Sequence, residues 1–132
     1  MYQPLGPGSV FAERFEIVRP AGSGGMGAVY QAHDRLTGES VALKLLHRTR
    51  SGEQDRERFA REARLLAEFR HSGIVSYVAD GQLPDGSHYL VMEWLAGEDL
   101  AARLLRGPLS IREAVLLTDR VAEALAVIHQ RG

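Results

Sequence analysis

Cysteine is absent from this sequence of 132 residues, and lysine occurs once, as Lys44, beside 15 arginines. The lack of cysteine excludes a disulfide scaffold and a thiolate metal site. The five histidines are scattered and none lies four residues from another. We therefore interpret them as surface or turn residues and predict no metal ligand in this chain.

Long apolar runs and a strong net charge are also missing. No uninterrupted apolar segment approaches the roughly 18 residues that a membrane-spanning helix needs, and residues 1–9 lack the basic and apolar regions of a secretory signal. The net charge of −1 gives no electrostatic reason to expect nucleic acid or an anionic membrane as a partner. With 45% hydrophobic and 25% charged residues, the composition is typical of a globular domain, and we expect a cytoplasmic protein.

The first half of the chain is dominated by short extended segments that are separated by turn residues. Apolar residues in extended patterns predict strands over 15–18, 28–32, 40–46, 74–79 and 89–93. A polar turn follows the second of these strands. Because tight turns join the first three, we expect an antiparallel sheet of five strands.

In the rest of the chain, most predicted elements show the apolar spacing of helices. A charged segment with apolar residues three and four apart predicts a helix over 51–70, opened by a capping box at Ser51. A short helix is predicted over 100–105, and Ser110 begins a long helix that runs toward Gly132. The long helix carries an apolar stripe, formed by Ala114, Leu117, Val121, Leu125 and Ile128. Five strands with one helix inserted after the third, followed by helices only, predict an α+β fold with two unequal lobes.

A glycine-rich segment, Gly22 to Gly27, fits the pattern G-x-G-x-x-G. Glycine lets the backbone adopt positive φ and approach a ligand closely, so that N–H groups can point at phosphate oxygens. Ala28 and Val29 exclude a P-loop, which needs lysine and then serine or threonine at these positions. They also disfavour a dinucleotide-binding turn, which needs a helix there. A hairpin that covers a nucleotide and an ordinary flexible hairpin both remain open.

Lys44 lies in the middle of an apolar strand, seventeen residues after Gly27. A buried ammonium without an anionic partner is costly. Glu62 is one candidate partner, because it lies on the apolar face of the following helix and itself needs a cation. A phosphate is another, since lysine is a compact charge on a flexible stem. The remaining alternative is a lysine that only extends from the strand edge into solvent.

Five motifs in this order resemble the small lobe of eukaryotic-type protein kinases, and the glycine-rich segment is most similar to that of bacterial serine/threonine kinases. The motifs are Gly22-x-Gly24-x-x-Gly27-x-Val29, Val41-Ala42-Leu43-Lys44, Arg61-Glu62-Ala63, His71-x-x-Ile74-Val75 and Val91-Met92-Glu93-Trp94-Leu95. Residues 1–9 are rich in proline and glycine, which predicts a flexible leader. The resemblance implies a small lobe with its hinge over 10–95 and the first two helices of the large lobe over 96–132.

The resemblance also implies a role in ATP binding for the matching residues. The glycine-rich loop is expected to cover the phosphates, and Lys44 to contact the α- and β-phosphates while it pairs with Glu62. Val29 and Ala42 would line the adenine, Met92 would be the gatekeeper, and Asp99 matches a position that contacts the ribose. The full implied set is Ala21, Gly22, Ser23, Gly24, Gly25, Met26, Gly27, Ala28, Val29, Ala42, Lys44, Met92, Asp99 and the hinge backbone of Glu93 and Leu95.

Two departures from the family pattern matter. Ala21 stands where the family usually has a branched apolar residue over the adenine. The sequence stops at residues 128–132, where the family continues into its His-Arg-Asp loop, so the catalytic aspartate and the magnesium ligands are not in this chain. We expect part of a serine/threonine kinase that uses ATP, Mg²⁺ and a protein substrate, and we expect this part alone to be inactive and to bind ATP weakly or not at all. The alternative is a catalytically dead or regulatory module that acts through protein contacts.

Overall fold

The computed structural model describes residues 5–23, 27–47 and 52–131, which form a six-stranded antiparallel sheet and three helices. In chain order the elements are β1 (Val10–Phe11), β2 (Phe15–Ser23), β3 (Gly27–Asp34), β4 (Ser40–Leu46), α1 (Glu53–Glu68), β5 (Tyr77–Gln82), β6 (His88–Glu93), α2 (Leu100–Leu104) and α3 (Ile111–His129). The strand order across the sheet is β1-β2-β3-β4-β6-β5. The predicted fold class, a sheet with one inserted helix followed by helices, is confirmed.

The sheet differs from the prediction at its edges. β1 is an additional strand of two residues, paired with Phe15 and Glu16 at the start of β2. β5 begins at Tyr77 rather than at residue 74, because the chain before it turns. The Ile74 N–H donates to the His71 carbonyl oxygen at 3.0 Å in that turn. Apolar spacing alone did not separate these turn residues from the strand that follows them.

β2 also continues past Pro20 to Ser23, beyond the predicted end at residue 18. Proline has no N–H for a strand ladder and is therefore confined to edges and bulges. β1 pairs only with Phe15 and Glu16, so Pro20 lies on a stretch of β2 with no outer strand neighbour among the described residues. The proline is compatible with the strand for this reason.

The two faces of the sheet carry separate apolar clusters. The first cluster consists of Phe11, Phe15, Ile17, Tyr30, Ala32, Val41, Leu43, Leu45 and Val91. On the opposite face, α1 packs against the sheet through Leu46, Phe59, Ala63 and Leu90. Successive side chains of a strand point to opposite faces, so Leu43 lies in the first cluster and Lys44 faces α1. We call the second side of the sheet the α1 face.

The helix starts show one correct and one incorrect prediction. Ser110 and Glu113 form the predicted capping box: the Glu113 N–H donates to Ser110 Oγ at 3.1 Å, and the Ser110 N–H donates to Glu113 Oε2 at 2.8 Å. α1 instead has Gly52 as its N-cap, and the Gly52 N–H donates to Asp55 Oδ2 at 3.0 Å. The capping box predicted at Ser51 is wrong in its N-cap position, and Ser51 itself lies outside the described residues.

An ion pair joins Arg14, the residue before β2, to the buried Asp34 at the end of β3. Asp34 is fully buried and accepts hydrogen bonds from Arg14 Nε at 2.9 Å and Nη2 at 2.7 Å. These bonds lower the pKa of the Asp34 carboxyl to about 2. The sequence indicated a polar turn that begins at Asp34, and the guanidinium of Arg14 allows this aspartate to be buried.

The apolar stripe predicted on α3 is largely uncovered. Leu117, Val121 and Leu125 are 37%, 49% and 45% exposed, whereas Ala124 is buried. The C-terminal end of α3 does make contacts, since the Arg131 guanidinium lies over the Phe69 ring. Among the described helices, none is both long and apolar enough to cross a lipid bilayer.

Candidate functional site

β2 and β3 form the hairpin whose tip carries the glycine-rich sequence. Its last described pair joins Ser23 to Ala28. The tip residues Gly24, Gly25 and Met26 lie outside the described residues, so their contacts with phosphates stay a prediction. The segment after the glycines is a strand rather than a helix, which argues against a dinucleotide-binding turn.

A bulge in β2 places Gly22 on the α1 face. Pro20 pairs with Tyr30 and Gly22 pairs with Val29, so Ala21 is an extra residue on β2. In a regular strand, residues two apart share one face, and Gly22 would then lie on the side of Tyr30. The bulge instead sets Gly22 beside Val29. Ala21 itself is exposed at the bulge.

The two described glycines of the motif have different reasons to lack a side chain. A Cβ on Gly27 would lie 2.0 Å from the Leu45 carbonyl oxygen, so the close approach of β3 to β4 excludes it. A Cβ on Gly22 would meet no described atom within 4 Å, which leaves open space on the α1 face. Neither glycine has a positive φ. The backbone freedom predicted from the sequence is therefore not used at these two positions.

Lys44 and Glu62 form the ion pair that the sequence predicts as one alternative. Lys44 Nζ lies 3.2 Å from Glu62 Oε1 and 3.1 Å from Oε2, and it lies 5.7 Å from the centroid of the Phe59 ring. The two side chains are 38% and 40% exposed. The lysine is thus half-buried rather than enclosed, and its ammonium group stays accessible to a second anion.

A cleft of about 330 Å³ opens beneath the hairpin, between β3, β4 and α1. This volume lies within the range of about 300–1,000 Å³ that is common for small-molecule sites. Its lining includes seven of the predicted residues, namely Gly22, Ser23, Gly27, Ala28, Val29, Lys44 and Glu62. The predicted residues Ala21, Ala42, Met92, Glu93, Leu95 and Asp99 do not line it.

The predicted adenine residues lie next to this cleft in adjacent rows of the same face. Val29 pairs with Lys44 across β3 and β4, and Ala42, two residues before Lys44, pairs with Met92 on β6. Alternation along β4 puts Ala42 on the α1 face with Lys44. The register therefore brings Val29, Ala42 and Met92 together beside the lysine, although no single cavity encloses them.

At the hinge, formed by the end of β6 and the segment that follows it, the backbone N–H groups of Glu93 and Leu95 differ in their hydrogen bonding. The Glu93 N–H donates to the Ser76 carbonyl oxygen at 2.9 Å, so it is not available to a ligand. Within the described ranges, the Leu95 N–H makes no hydrogen bond, and Leu95 is 66% exposed. Of these two N–H groups, only that of Leu95 is therefore open to a ligand within the described ranges.

Asp99 has a structural task in addition to the predicted ribose contact. It is the N-cap of α2, and Oδ1 accepts a hydrogen bond from the Ala102 N–H at 2.7 Å. An aspartate before a short helix is a strong capping signal. This signal was present in the sequence and explains Asp99 without a ligand.

Two charged residues of the cleft were not predicted. Asp55 and Arg58 line it from the first turns of α1, seven and four residues before Glu62. Residues spaced by three or four lie on one face of a helix, so the position of Glu62 could have identified both. The Asp55 carboxylate also caps α1, whereas Arg58 adds a second cation near Lys44.

Comparison with known proteins agrees with this arrangement. The family model described as the protein kinase domain matches residues 15–132. The chain is 42% identical over 131 residues to serine/threonine-protein kinase pkn2 of Myxococcus xanthus and 40% identical over 135 residues to DNA damage-responsive serine/threonine-protein kinase RqkA of Deinococcus radiodurans. The crystal structure of the PknI kinase domain of Mycobacterium tuberculosis matches with a TM-score of 0.82 at 29% identity.

The alignments cover nearly all of this chain and a smaller part of each relative. They span 97% of this chain and 16% of pkn2, 98% and 20% for RqkA, and 98% and 53% for the PknI kinase domain. The family match includes the glycine-rich hairpin, the Lys44–Glu62 pair, the hinge and α3. On the basis of this match, the chain belongs to the protein kinase family.

Proposed function

We propose that this chain is the ATP-binding part of a serine/threonine protein kinase, an enzyme that transfers the γ-phosphate of ATP to protein hydroxyl groups. The observation that carries the proposal is the Lys44–Glu62 pair, with 3.1 Å between Nζ and Oε2, on the wall of an open cleft beneath the glycine-rich hairpin. In kinases such a pair positions the lysine on the α- and β-phosphates. The choice of serine and threonine follows the names of pkn2 and RqkA.

The same arrangement supports a direction for the nucleotide. Val29, Ala42 and Met92 would supply the apolar wall for the adenine, and the Glu93 carbonyl oxygen and Leu95 N–H would meet its polar edge. The phosphates would then extend along β3 and β4 toward Lys44. The open space beside Gly22 would leave room for them under the hairpin.

Magnesium is the second cofactor that the family resemblance implies. Within the described ranges, no group of three or more histidine, aspartate or glutamate side chains is placed to hold a metal ion. Because of the family resemblance, we propose that the magnesium ligands and the catalytic residue of the parent kinase are outside these 132 residues. Positioning and metal ions supply most of the catalysis in phosphoryl transfer, so we infer that the chain alone does not transfer phosphate.

A second candidate is a catalytically inactive module that acts through protein contacts. The exposed apolar face of α3 is the observation that favours it, since such a face needs a covering layer. In a kinase that layer would come from the rest of the large lobe. The match to 53% of the PknI kinase domain favours the kinase, because the other half of such a domain would provide the cover.

A phosphate-transfer assay with purified chain, ATP and a general protein substrate tests the proposal. We expect no transfer by the 132-residue chain. If the gene sequence continues after Gly132 into His-Arg-Asp and Asp-Phe-Gly motifs, the longer polypeptide should be active, and Lys44→Met should abolish that activity. Transfer by the 132-residue chain itself, lost on Lys44→Met, would contradict the inference of inactivity. A following gene sequence without His-Arg-Asp and Asp-Phe-Gly motifs would favour the inactive module.

A further inference from the structure

Arg19 and Trp94 make a contact at the adenine end of the site that none of the roles above uses. The Arg19 Cζ atom lies 5.3 Å from the centroid of the Trp94 ring. A guanidinium within about 6 Å of a tryptophan ring is attracted to its face. Arg19 lies in β2, three residues before Gly22, and Trp94 is the first residue of the hinge after β6. The contact therefore joins the hairpin directly to the hinge.

A second bulge in β2 brings Arg19 to this side of the sheet. Ile17 pairs with Ala32 and Arg19 pairs with Gln31, so Val18 is an extra residue. In a regular strand, Arg19 would share the face of Ile17, which is buried in the first cluster. The bulge reverses this direction and turns Arg19 to the α1 face.

Arg19 consequently ends a row of residues that crosses the sheet toward the proposed adenine site. The register pairs Arg19 with Gln31, Gln31 with Ala42, and Ala42 with Met92. Trp94 lies two residues beyond Met92 along the chain. The contact between Arg19 and Trp94 thus lies beside the row that contains the proposed adenine-lining residues Ala42 and Met92.

The two partners of this contact are held differently by the sheet. The Trp94 N–H donates to the Ser40 carbonyl oxygen at 3.3 Å, and the preceding Glu93 N–H is also bonded. β2 is interrupted by bulges at Val18 and Ala21, and this part of it has no outer strand neighbour among the described residues. The contact therefore ties the less firmly held element to the more firmly held one.

We propose that Arg19 and Trp94 are positioning residues for nucleotide binding, because their contact holds β2 over the row of proposed adenine-lining residues beside the cleft. This inference rests on the proposed function. Ala21 is small and exposed, so it can add little contact of its own at this end. When the Arg19–Trp94 contact is lost, β2 lies over the proposed adenine position for a smaller fraction of the time, and the apparent dissociation constant rises by the same factor.

The expected size follows from the exposure of Arg19. An exposed contact between a guanidinium and an aromatic ring shifts the equilibrium between its formed and broken states by about two- to fivefold. Arg19→Ala and Trp94→Leu should each raise the dissociation constant for ATP by about this factor. Arg19→Lys should have a smaller effect, because it keeps a cation over the ring. The double variant should bind no more weakly than either single variant, since both changes remove the same contact.

The experiment is an NMR titration of ATP into the 132-residue chain and these variants, with Arg35→Ala as the matched control. Arg35 is exposed in the turn after β3. Arg35→Ala changes the net charge by the same amount as Arg19→Ala does. Trp94 is the only tryptophan, and its emission reports directly whether Arg19→Ala has altered its surroundings. We expect weaker ATP binding for Arg19→Ala and unchanged binding for Arg35→Ala.

Two results would overturn the inference while the proposed function stands. One is equal ATP affinity in Arg19→Ala and Arg35→Ala. The other is a double variant in which the losses of Arg19→Ala and Trp94→Leu add, because additivity means that the residues act separately. Failure of the proposed function itself would look different. Wild type would then show no ATP-dependent NMR shifts, or it would show shifts that Lys44→Met leaves unchanged. The inference then fails with it.

Discussion

The six-stranded sheet and the α2–α3 pair differ in how far their apolar side chains are buried. Leu43 and Val91 in the sheet are 0% exposed, whereas Leu117 and Leu125 on α3 are 37% and 45% exposed. Of the described residues in α2 and α3, only Ala124 is buried. The strands and α1 together bury both apolar clusters of the sheet. In contrast, α2 and α3 present an apolar face that no described element covers.

This difference shows that local structure and burial have separate causes. α3 begins at a complete capping box and ends regularly, so its sequence determines a helix without any cover. In the sheet, by contrast, long-range pairing determines which side chains are buried. Substitutions in the sheet and in α3 can test whether the free energy of unfolding depends mainly on the buried residues of the sheet.

The largest effect is expected for a truncation in the sheet core. Leu43→Ala should lower the free energy of unfolding by about 2–5 kcal/mol, because it leaves a cavity in the first cluster. Leu125→Ala, the matched change on α3, should alter it by about 0.5 kcal/mol or less. Urea denaturation followed by Trp94 fluorescence measures both. Equal losses would show that α3 is packed as firmly as the sheet.

A smaller loss is expected when a methyl group is added to the hairpin. Gly27→Ala should destabilise the sheet by about 1–3 kcal/mol, since the new Cβ would lie 2.0 Å from the Leu45 carbonyl oxygen. Gly22→Ala should leave stability nearly unchanged, because its Cβ meets open space. Thermal unfolding of the two variants distinguishes these roles. A stable Gly27→Ala protein would mean that β3 and β4 separate more easily than their register suggests.

The ion pair at the other end of β3 predicts a dependence on pH. The pKa of Asp34 is lowered from 3.8 to about 2 by Arg14. A lowered pKa means that the carboxylate stabilises the fold above pH 4 and that this stabilisation is lost as the pH falls from about 4 through about 2. Its size is about 2 kcal/mol. Asp34→Asn should therefore be less stable than wild type at pH 6, and the difference should shrink below pH 4.

Removal of α2 and α3 should have the smallest effect on the sheet and a clear effect on association. A chain that ends at Gly97 should keep most of the stability of the sheet, because little of either helix is buried. It should also be more monomeric than the 132-residue chain, which exposes the apolar face of α3. Light scattering at high concentration compares the two. A monomeric 132-residue chain with α3 protected from hydrogen exchange would contradict this prediction.

The site could be predicted where charge interrupts an apolar pattern. Lys44 and Glu62 each lie among apolar neighbours, and the cost of an unpaired buried charge made their pairing one of the alternatives predicted from the sequence. The bulges at Val18 and Ala21 could not be predicted, because they depend on the register between β2 and β3. These bulges decide which side chains of β2 face the cleft.

Other misses reflect tertiary contacts that have no local signal. The burial of Asp34 depends on Arg14, twenty residues earlier in the chain, so the local sequence indicates only a polar turn. The need for glycine at position 27 comes from the approach of the Leu45 carbonyl oxygen rather than from φ. Asp99 is different, since its capping role was visible in the sequence and the family resemblance drew attention to a ligand instead.

The most direct test of the account is to map ATP binding on the 132-residue chain by two-dimensional NMR. We expect weak binding, with a dissociation constant of about 1 mM. The shifts should fall on Gly22, Val29, Lys44 and Leu95 and should leave α3 unchanged. Lys44→Met should weaken binding by about tenfold or more, because it removes a charged hydrogen-bond donor to phosphate. Shifts that cluster on α3, or an affinity that Lys44→Met does not change, would contradict the central claim that the cleft beneath the hairpin binds the nucleotide.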